Sequence, residues 1–179
     1  MTFKELKIQR YKNNSDINEH LPTLEKFAQN CDHITEFGLR DGNSTIAFIA
    51  GCKGEVHSYD INERSSAIKL LNNIQLPCKW FYHKGNTGTD LNIEETDFLF
   101  IDTWHTYQHV TNELKYNGRK AKKYLGFHDT AIFATKGESG CQIGINKAIM
   151  EFINQYPNEY KLIYQTTKNN GLWIFEKLC

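Results

Sequence analysis

The stretch His33-Ile-Thr-Glu-Phe-Gly-Leu-Arg-Asp-Gly-Asn-Ser-Thr45 decides the fold. A short apolar run leads into Glu36-x-Gly38-x-x-x-Gly42 and then straight into helix-forming sequence. Strand, glycine turn and helix start together make a ligand cradle. Glycine permits close backbone approach, and the first turn of a helix exposes unpaired N–H groups. The spacing alone is a weak signal. Its weight comes from Tyr59-Asp60, which closes the next strand-like run twenty-four residues after Glu36. A carboxylate there can take the two hydroxyls of a ribose. Two further strand-like runs end on acids, Phe100-Ile-Asp102 and Phe127-His-Asp129.

Outward from this stretch, strands are predicted over residues 34–37, 55–59, 79–83, 98–101, 124–127, 160–165 and 172–175. Helical spacing marks Leu21, Leu24, Phe27, Ala28 and Cys31, then residues 44–50 with Gly51 as terminator, then Ala67, Leu70, Leu71 and Ile74. It recurs at Tyr107, Val110, Leu114 and Ala121, and again at Ile145, Ala148, Ile149, Phe152 and Ile153. Lys168-Asn-Asn-Gly171 between the last two strands is a hairpin signal. Strands alternating with helices predict a Rossmann-like α/β fold: a mostly parallel seven-stranded sheet closed by a C-terminal antiparallel hairpin. Ligands bind such sheets beyond the carboxyl ends of the strands, where the acids fall.

At 179 residues the chain reads as one domain, with residues 1–32 a helical segment ahead of the sheet. Basic and acidic residues balance at 21 each, which gives a nucleic-acid partner no electrostatic support. The one basic cluster, Arg119-Lys-Ala-Lys-Lys123, is expected late in a helix, where cations suit the dipole. Five cysteines at scattered positions imply reduced thiols, and neither an apolar leader core nor a membrane-length apolar run is present. The expectation is a cytoplasmic protein without a membrane partner. A homo-oligomer stays open.

Two cofactors suit the cradle, a dinucleotide or S-adenosylmethionine (SAM). A pyrophosphate calls for Gly-x-Gly-x-x-Gly, which this loop lacks, and Glu36 and Asp41 would repel it. SAM brings a sulfonium, an ammonium and a ribose, all compatible with nearby acids. The loop charges favour SAM.

Glu36-Phe-Gly38-Leu-Arg-Asp-Gly42-Asn-Ser44 resembles motif I of the class I SAM-dependent methyltransferases. Within that class the chain is similar to the metal-dependent O-methyltransferases acting on sugars and macrolides, a group that includes cephalosporin-hydroxylase-type proteins. The resemblance rests also on Asp97–Tyr107, on Gly126-Phe-His-Asp-Thr130 and on Gly144–Ile149, and holds in order from Thr35 to Phe175. It implies that Glu36, Gly38, Gly42 and Ser44 hold the methionine part of SAM, that Asp60 holds the ribose and that Asn86 lies by the adenine. It also implies a small-molecule or sugar acceptor, and gives His105, three residues after Asp102, the role of taking the acceptor's proton.

Methyl transfer to an aliphatic hydroxyl calls for a base or for a metal that lowers the hydroxyl's pKa. Asp102, His128 and Asp129 end two strands expected to be neighbours, so they can converge on one divalent cation. A hard set would take Mg²⁺, and the histidine admits Mn²⁺. His128 and Asp129 face the same site only if the strand ends between them, because successive strand residues point to opposite faces. Asp102 and His105 are thus the expected catalytic pair. The glycine-bearing stretch 134–142 reads as a lid or as an ordinary connection. Two other functions compete: a non-catalytic SAM- or nucleotide-binding module, and an NAD-dependent oxidoreductase on the same sheet.

Overall fold

In the computed structural model, which describes residues 1–89 and 91–178, the strands are β1 His33–Phe37, β2 Glu55–Asp60, β3 Lys79–Lys84 and β4 Thr96–Ile101. β5 Ala121–His128, β6 Tyr160–Thr166 and β7 Leu172–Lys177 complete one seven-stranded sheet in the order β3-β2-β1-β4-β5-β7-β6. β3 through β5 run parallel, and β7 enters antiparallel between β5 and β6. The predicted sheet and its closing hairpin are both present. The strand order reverses between β1 and β4, and a crevice opens there beyond the strand ends.

The helices are α1 Phe3–Lys12, α2 Leu21–Ala28, α3 Asn43–Gly51, α4 Ser65–Asn72, α5 Tyr107–Asn117 and α6 Ile145–Gln155. Thr2 caps α1 in a capping box with Glu5. Among the described residues, no helix is long and apolar enough to cross a membrane.

β4 is buried at all six positions because both faces of the sheet are covered there. Phe98 and Phe100 pack with Leu24, Ile46 and Phe48 of α2 and α3 on one face. Leu99 and Ile101 pack with Leu114, Ile149 and Phe152 of α5 and α6 on the other. Each such side chain contributes about 1.5–3 kcal/mol on burial. The second face thins out toward the β3 edge: Tyr59, half-buried, is the one β2 residue that joins its cluster. Residues 85–89 and 91–95 form no helix that could cover β2 and β3 there.

One predicted element ends early. Ala121 is not on α5, which stops at Asn117, but opens β5 opposite Thr96. The Asn117 side chain leaves the helical pattern by accepting from the Ile93 amide at 3.1 Å and donating to the Leu91 carbonyl at 2.9 Å. The basic cluster therefore spans a 3₁₀ turn and the start of β5, and Lys123 reaches the Asn30 carbonyl (2.8 Å) and Asp97 (3.4 Å).

At Gly38 the backbone has φ +98°, and a Cβ would stand 1.9 Å from the Asp102 carbonyl oxygen. Gly38→Ala is therefore expected to destabilise the fold by about 3 kcal/mol or more, read as a lowered urea midpoint. An unchanged midpoint would show that β1 and β4 can separate freely.

Candidate active site

The carboxyl ends of β1 to β5 open onto one cavity of about 750 Å³, whose lining includes Gly38, Asp60, Asn86, Asp102, His105 and Asp129. Six of the ten expected site residues are among them. The other four lie behind it.

Glu36 is fully buried and does not line the cavity. Its carboxylate turns beneath the glycine turn and accepts from the hydroxyls of Ser44, Thr45 (2.6 Å) and Ser58 (2.7 Å). It therefore ties the first turn of α3 and the middle of β2 to β1, which fixes the 38–42 loop from below. Gly42, at φ +76°, forms the N-cap of α3, and Ser44 is consumed by Glu36. Burial outweighs the three hydroxyl donors and pushes the Glu36 carboxyl up to about 7.

Asp60 ends β2 with its side chain held on both oxygens. Oδ2 accepts from the Arg40 amide (3.0 Å) and from Arg64 Nε (2.9 Å), and Oδ1 accepts from the Asn62 amide (2.9 Å). A carboxylate has about four lone-pair sites, so one remains, and a second opens if the half-exposed Arg64 swings away. Asn86 uses its Oδ1 to accept from the Gly88 amide at 3.0 Å, which directs the amide nitrogen as the remaining donor.

Across the crevice sits a cluster of four ionisable groups. β5 ends at His128, and Asp129 follows in the left-handed region at φ +59°, a conformation Asp tolerates better than most residues. That break brings both side chains to the same side, as the sequence required. His128 Nδ1 lies 3.3 Å from Asp102 Oδ1 and 3.4 Å from Asp129 Oδ2. His105 Nε2 lies 2.7 Å from Asp129 Oδ2 and 3.3 Å from Asp102 Oδ1. Burial alone would raise both carboxyls, yet the two rings hold them below the usual range. Burial would likewise lower both imidazoles, yet the carboxylates hold them well above their ordinary value.

The other edge of each ring is also fixed. His128 Nε2 donates to the carbonyls of Asp16 (3.0 Å) and Asn169 (3.2 Å), which makes Nε2 the protonated nitrogen. His128 Nδ1 then faces two carboxylate oxygens either as N–H⁺ or as a lone pair with a cation between. This is the arrangement of a metal-binding histidine whose outer nitrogen is held by backbone carbonyls. One donor atom each from Asp102, His128 and Asp129 falls within 4.8 Å of the others, and the buried Asp129 Oδ1 has no hydrogen-bond partner. The donor set therefore fits a divalent cation. His105 stacks on Phe133 at 4.7 Å and 8°, and its Nδ1 lies 3.1 Å from Glu138.

Two contributors escaped the sequence reading. Asp16 reaches the site from the segment between α1 and α2, through its carbonyl to His128 and its carboxylate to Arg40. Glu138 comes from the 134–142 stretch, and its amide also donates to the His105 carbonyl at 2.9 Å. A carboxylate between two glycines was the available sign for Glu138. Nothing in the sequence marked the Asp16 carbonyl.

No protein family and no curated protein matches the chain by sequence. Solved structures do match its fold. An O-methyltransferase from Bacillus cereus in complex with S-adenosylhomocysteine (SAH) aligns over 98% of this chain and 90% of its own, at 16% identity and TM-score 0.64. The SAH-bound methyltransferase PaMTH1 of Podospora anserina aligns over 99% and 88%, at 13% identity and TM-score 0.64. The fold is that of the class I SAM-dependent methyltransferases. MycE, a methyltransferase of the mycinamycin biosynthetic pathway in complex with Mg and SAH, aligns over 99% of this chain but 55% of its own, at 15% identity and TM-score 0.63.

Because the Glu36 carboxyl is raised from 4.5 to about 7, the folded state holds its proton more tightly than the unfolded chain does. Its favourable contribution is complete below about pH 4.5 and is lost as pH rises through 7, an effect on the order of 3 kcal/mol. Glu36→Gln should therefore gain melting temperature relative to wild type between about pH 5 and about pH 8. Parallel melting curves for the two proteins would contradict the buried, raised carboxyl.

Proposed function

We propose that the chain is a SAM-dependent O-methyltransferase, assisted by a divalent cation, that methylates a hydroxyl of a small molecule or sugar. The observation that carries this reading is the shared cavity: the ribose-type acid Asp60, the glycine turn at Gly38 and the Asp102–His105–Asp129 cluster face one space. A cofactor on one side and a hydroxyl on the other would meet within it, and positioning supplies much of the acceleration in such transfers.

In this reading Asp60 receives the ribose hydroxyls, the 38–42 loop receives the methionine part, and the Asn86 amide nitrogen meets the adenine. Glu36 and Ser44 act as positioning residues, holding the loop rather than touching the cofactor. Asp102, His128 and Asp129 would hold the cation, which when bound lowers the pKa of a coordinated hydroxyl. The MycE structure contains Mg; the imidazole nitrogen in the present set suits Mn²⁺ at least as well. His105 Nε2 is directed at the same oxygens and is the group to accept the acceptor's proton. It can do so only where the negative charge of Asp102 and Asp129 is taken up elsewhere, since both carboxylates otherwise keep it protonated. Stacking on Phe133 and the bond to Glu138 restrict the ring to this orientation.

The test is methyl transfer from radiolabelled SAM to a panel of hydroxylated acceptors in Mn²⁺ or Mg²⁺. Asp102→Ala should abolish turnover while keeping the far-UV spectrum and the SAH affinity of wild type. His105→Gln should lower kcat by roughly 10²–10⁴-fold with SAH affinity unchanged. Full activity in Asp102→Ala would rule out the proposed cation site.

A further inference from the structure

At the opposite end of β1 from the cavity, where helical cover of the second face runs out, lies a separate group of histidines. His33 and Glu55 are register partners across β1 and β2, and His57 stands two residues further along β2. All three side chains consequently share one face of the sheet. We infer that His33, Glu55 and His57 form a second metal site, one that takes a borderline divalent cation of the Zn²⁺ class.

One donor atom from each of the three lies within 4.8 Å of the others. The Nε2 atoms of His33 and His57 are both shut off from solvent, and neither has a hydrogen-bond partner. Unpaired buried nitrogens are costly, and coordination removes that cost. His57 Nε2 faces Glu55 Oε1 at 3.5 Å, and among the described residues Glu55 has no lysine or arginine within ion-pair distance. The carboxylate, partly open to solvent, thus faces imidazole nitrogen with no competing cation beside it among the described residues.

The outer edge of His57 is arranged as metal-binding histidines require. Its Nδ1 lies 2.9 Å from His83 Nε2, and His83 is itself stacked on Tyr59 at 4.5 Å and 17°. In the tautomer in which His57 Nδ1–H donates to His83, the Nε2 lone pair faces Glu55 and is available to a cation. His33 is held in place by its own backbone: its amide donates to Asp97 (3.3 Å) and its carbonyl accepts from Thr96 (3.0 Å).

Two imidazole nitrogens and one carboxylate oxygen suit Zn²⁺, Co²⁺ or Ni²⁺ and are a poor set for Mg²⁺ or Ca²⁺. His33 and Glu55 also border a shallow surface hollow of about 690 Å³, which supplies an entry path and room for a water in the fourth position. A cation there would pin β1 to β2.

The experiment is Zn²⁺ titration of the full chain against a chromophoric chelator, in an Asp102→Ala/His128→Ala/Asp129→Ala background that removes the cavity's own ligands. One Zn²⁺ should still bind. His33→Ala or His57→Ala added to that background should weaken it at least tenfold, and His83→Ala by 10–100-fold. Zn²⁺ affinity unchanged by these substitutions, or no binding in the background, overturns the site. Should the background variant fail to fold, the wild-type chain decides. Zn²⁺ must then shift the ring ¹⁵N resonances of His33 and His57 Nε2, and unmoved resonances overturn the inference equally.

Discussion

The bare backbone of Gly38 against the carbonyl of Asp102 is the contact on which the site depends. Here β1 ends by donating the Gly38 amide to Tyr59 (2.8 Å) and by accepting from the Asp102 amide at the Phe37 carbonyl (2.9 Å). One dipeptide is thus bonded to the ends of β2 and β4 together. Any side chain at 38 would wedge these strands apart and move Asp60 away from Asp102. Glu36 supports the arrangement from below by gathering three hydroxyls from α3 and β2 onto one buried carboxyl. The anchor of the cradle is internal, since Glu36 bonds to hydroxyls of α3 and β2 and does not itself line the cavity.

The second constraint is electrostatic. Asp102, Asp129, His105 and His128 sit together, His128 and Asp129 buried and the other two partly so, and each ring lies within ion-pair distance of both carboxylates. Charges brought together away from solvent are tolerable only when they pair in this way. The cluster also draws distant segments together. Asp16 from the N-terminal segment and Asn169 from the β6–β7 turn both present carbonyls to His128, and Asn169 accepts from His20 as well (2.9 Å). A cation entering the set must replace the His128 Nδ1 proton, which links occupancy to pH.

The sequence was legible wherever a local rule carried the information. Apolar strand-like runs and helical spacing located the sheet and five of the six helices, and acids at strand ends located part of the cavity lining. The requirement that β5 end between His128 and Asp129 could be stated beforehand because side chains alternate along a strand. The rest depends on tertiary contacts. Ala121 continues the apolar spacing of α5, yet Asn117 diverts the chain by bonding the 91–93 segment, which spacing cannot show. Glu36 reads as a cavity acid until its three hydroxyl partners are seen. α1 carries the Thr2–Glu5 capping box, but its polar sequence lacks the apolar face that marked the other helices. Asp16 enters through a main-chain carbonyl, which has no sequence signature, and Glu138 through a loop whose one sign was a carboxylate between two glycines.

Calorimetric titration of the wild-type chain with SAH, in Mn²⁺ and again in chelator, bears most directly on the cofactor assignment. Asp60, Asn86 and the 38–42 loop need no metal to receive SAH, so micromolar binding is expected under both conditions. No heat of binding under either condition would contradict the assignment and show that this cavity, despite its fold, does not receive SAM.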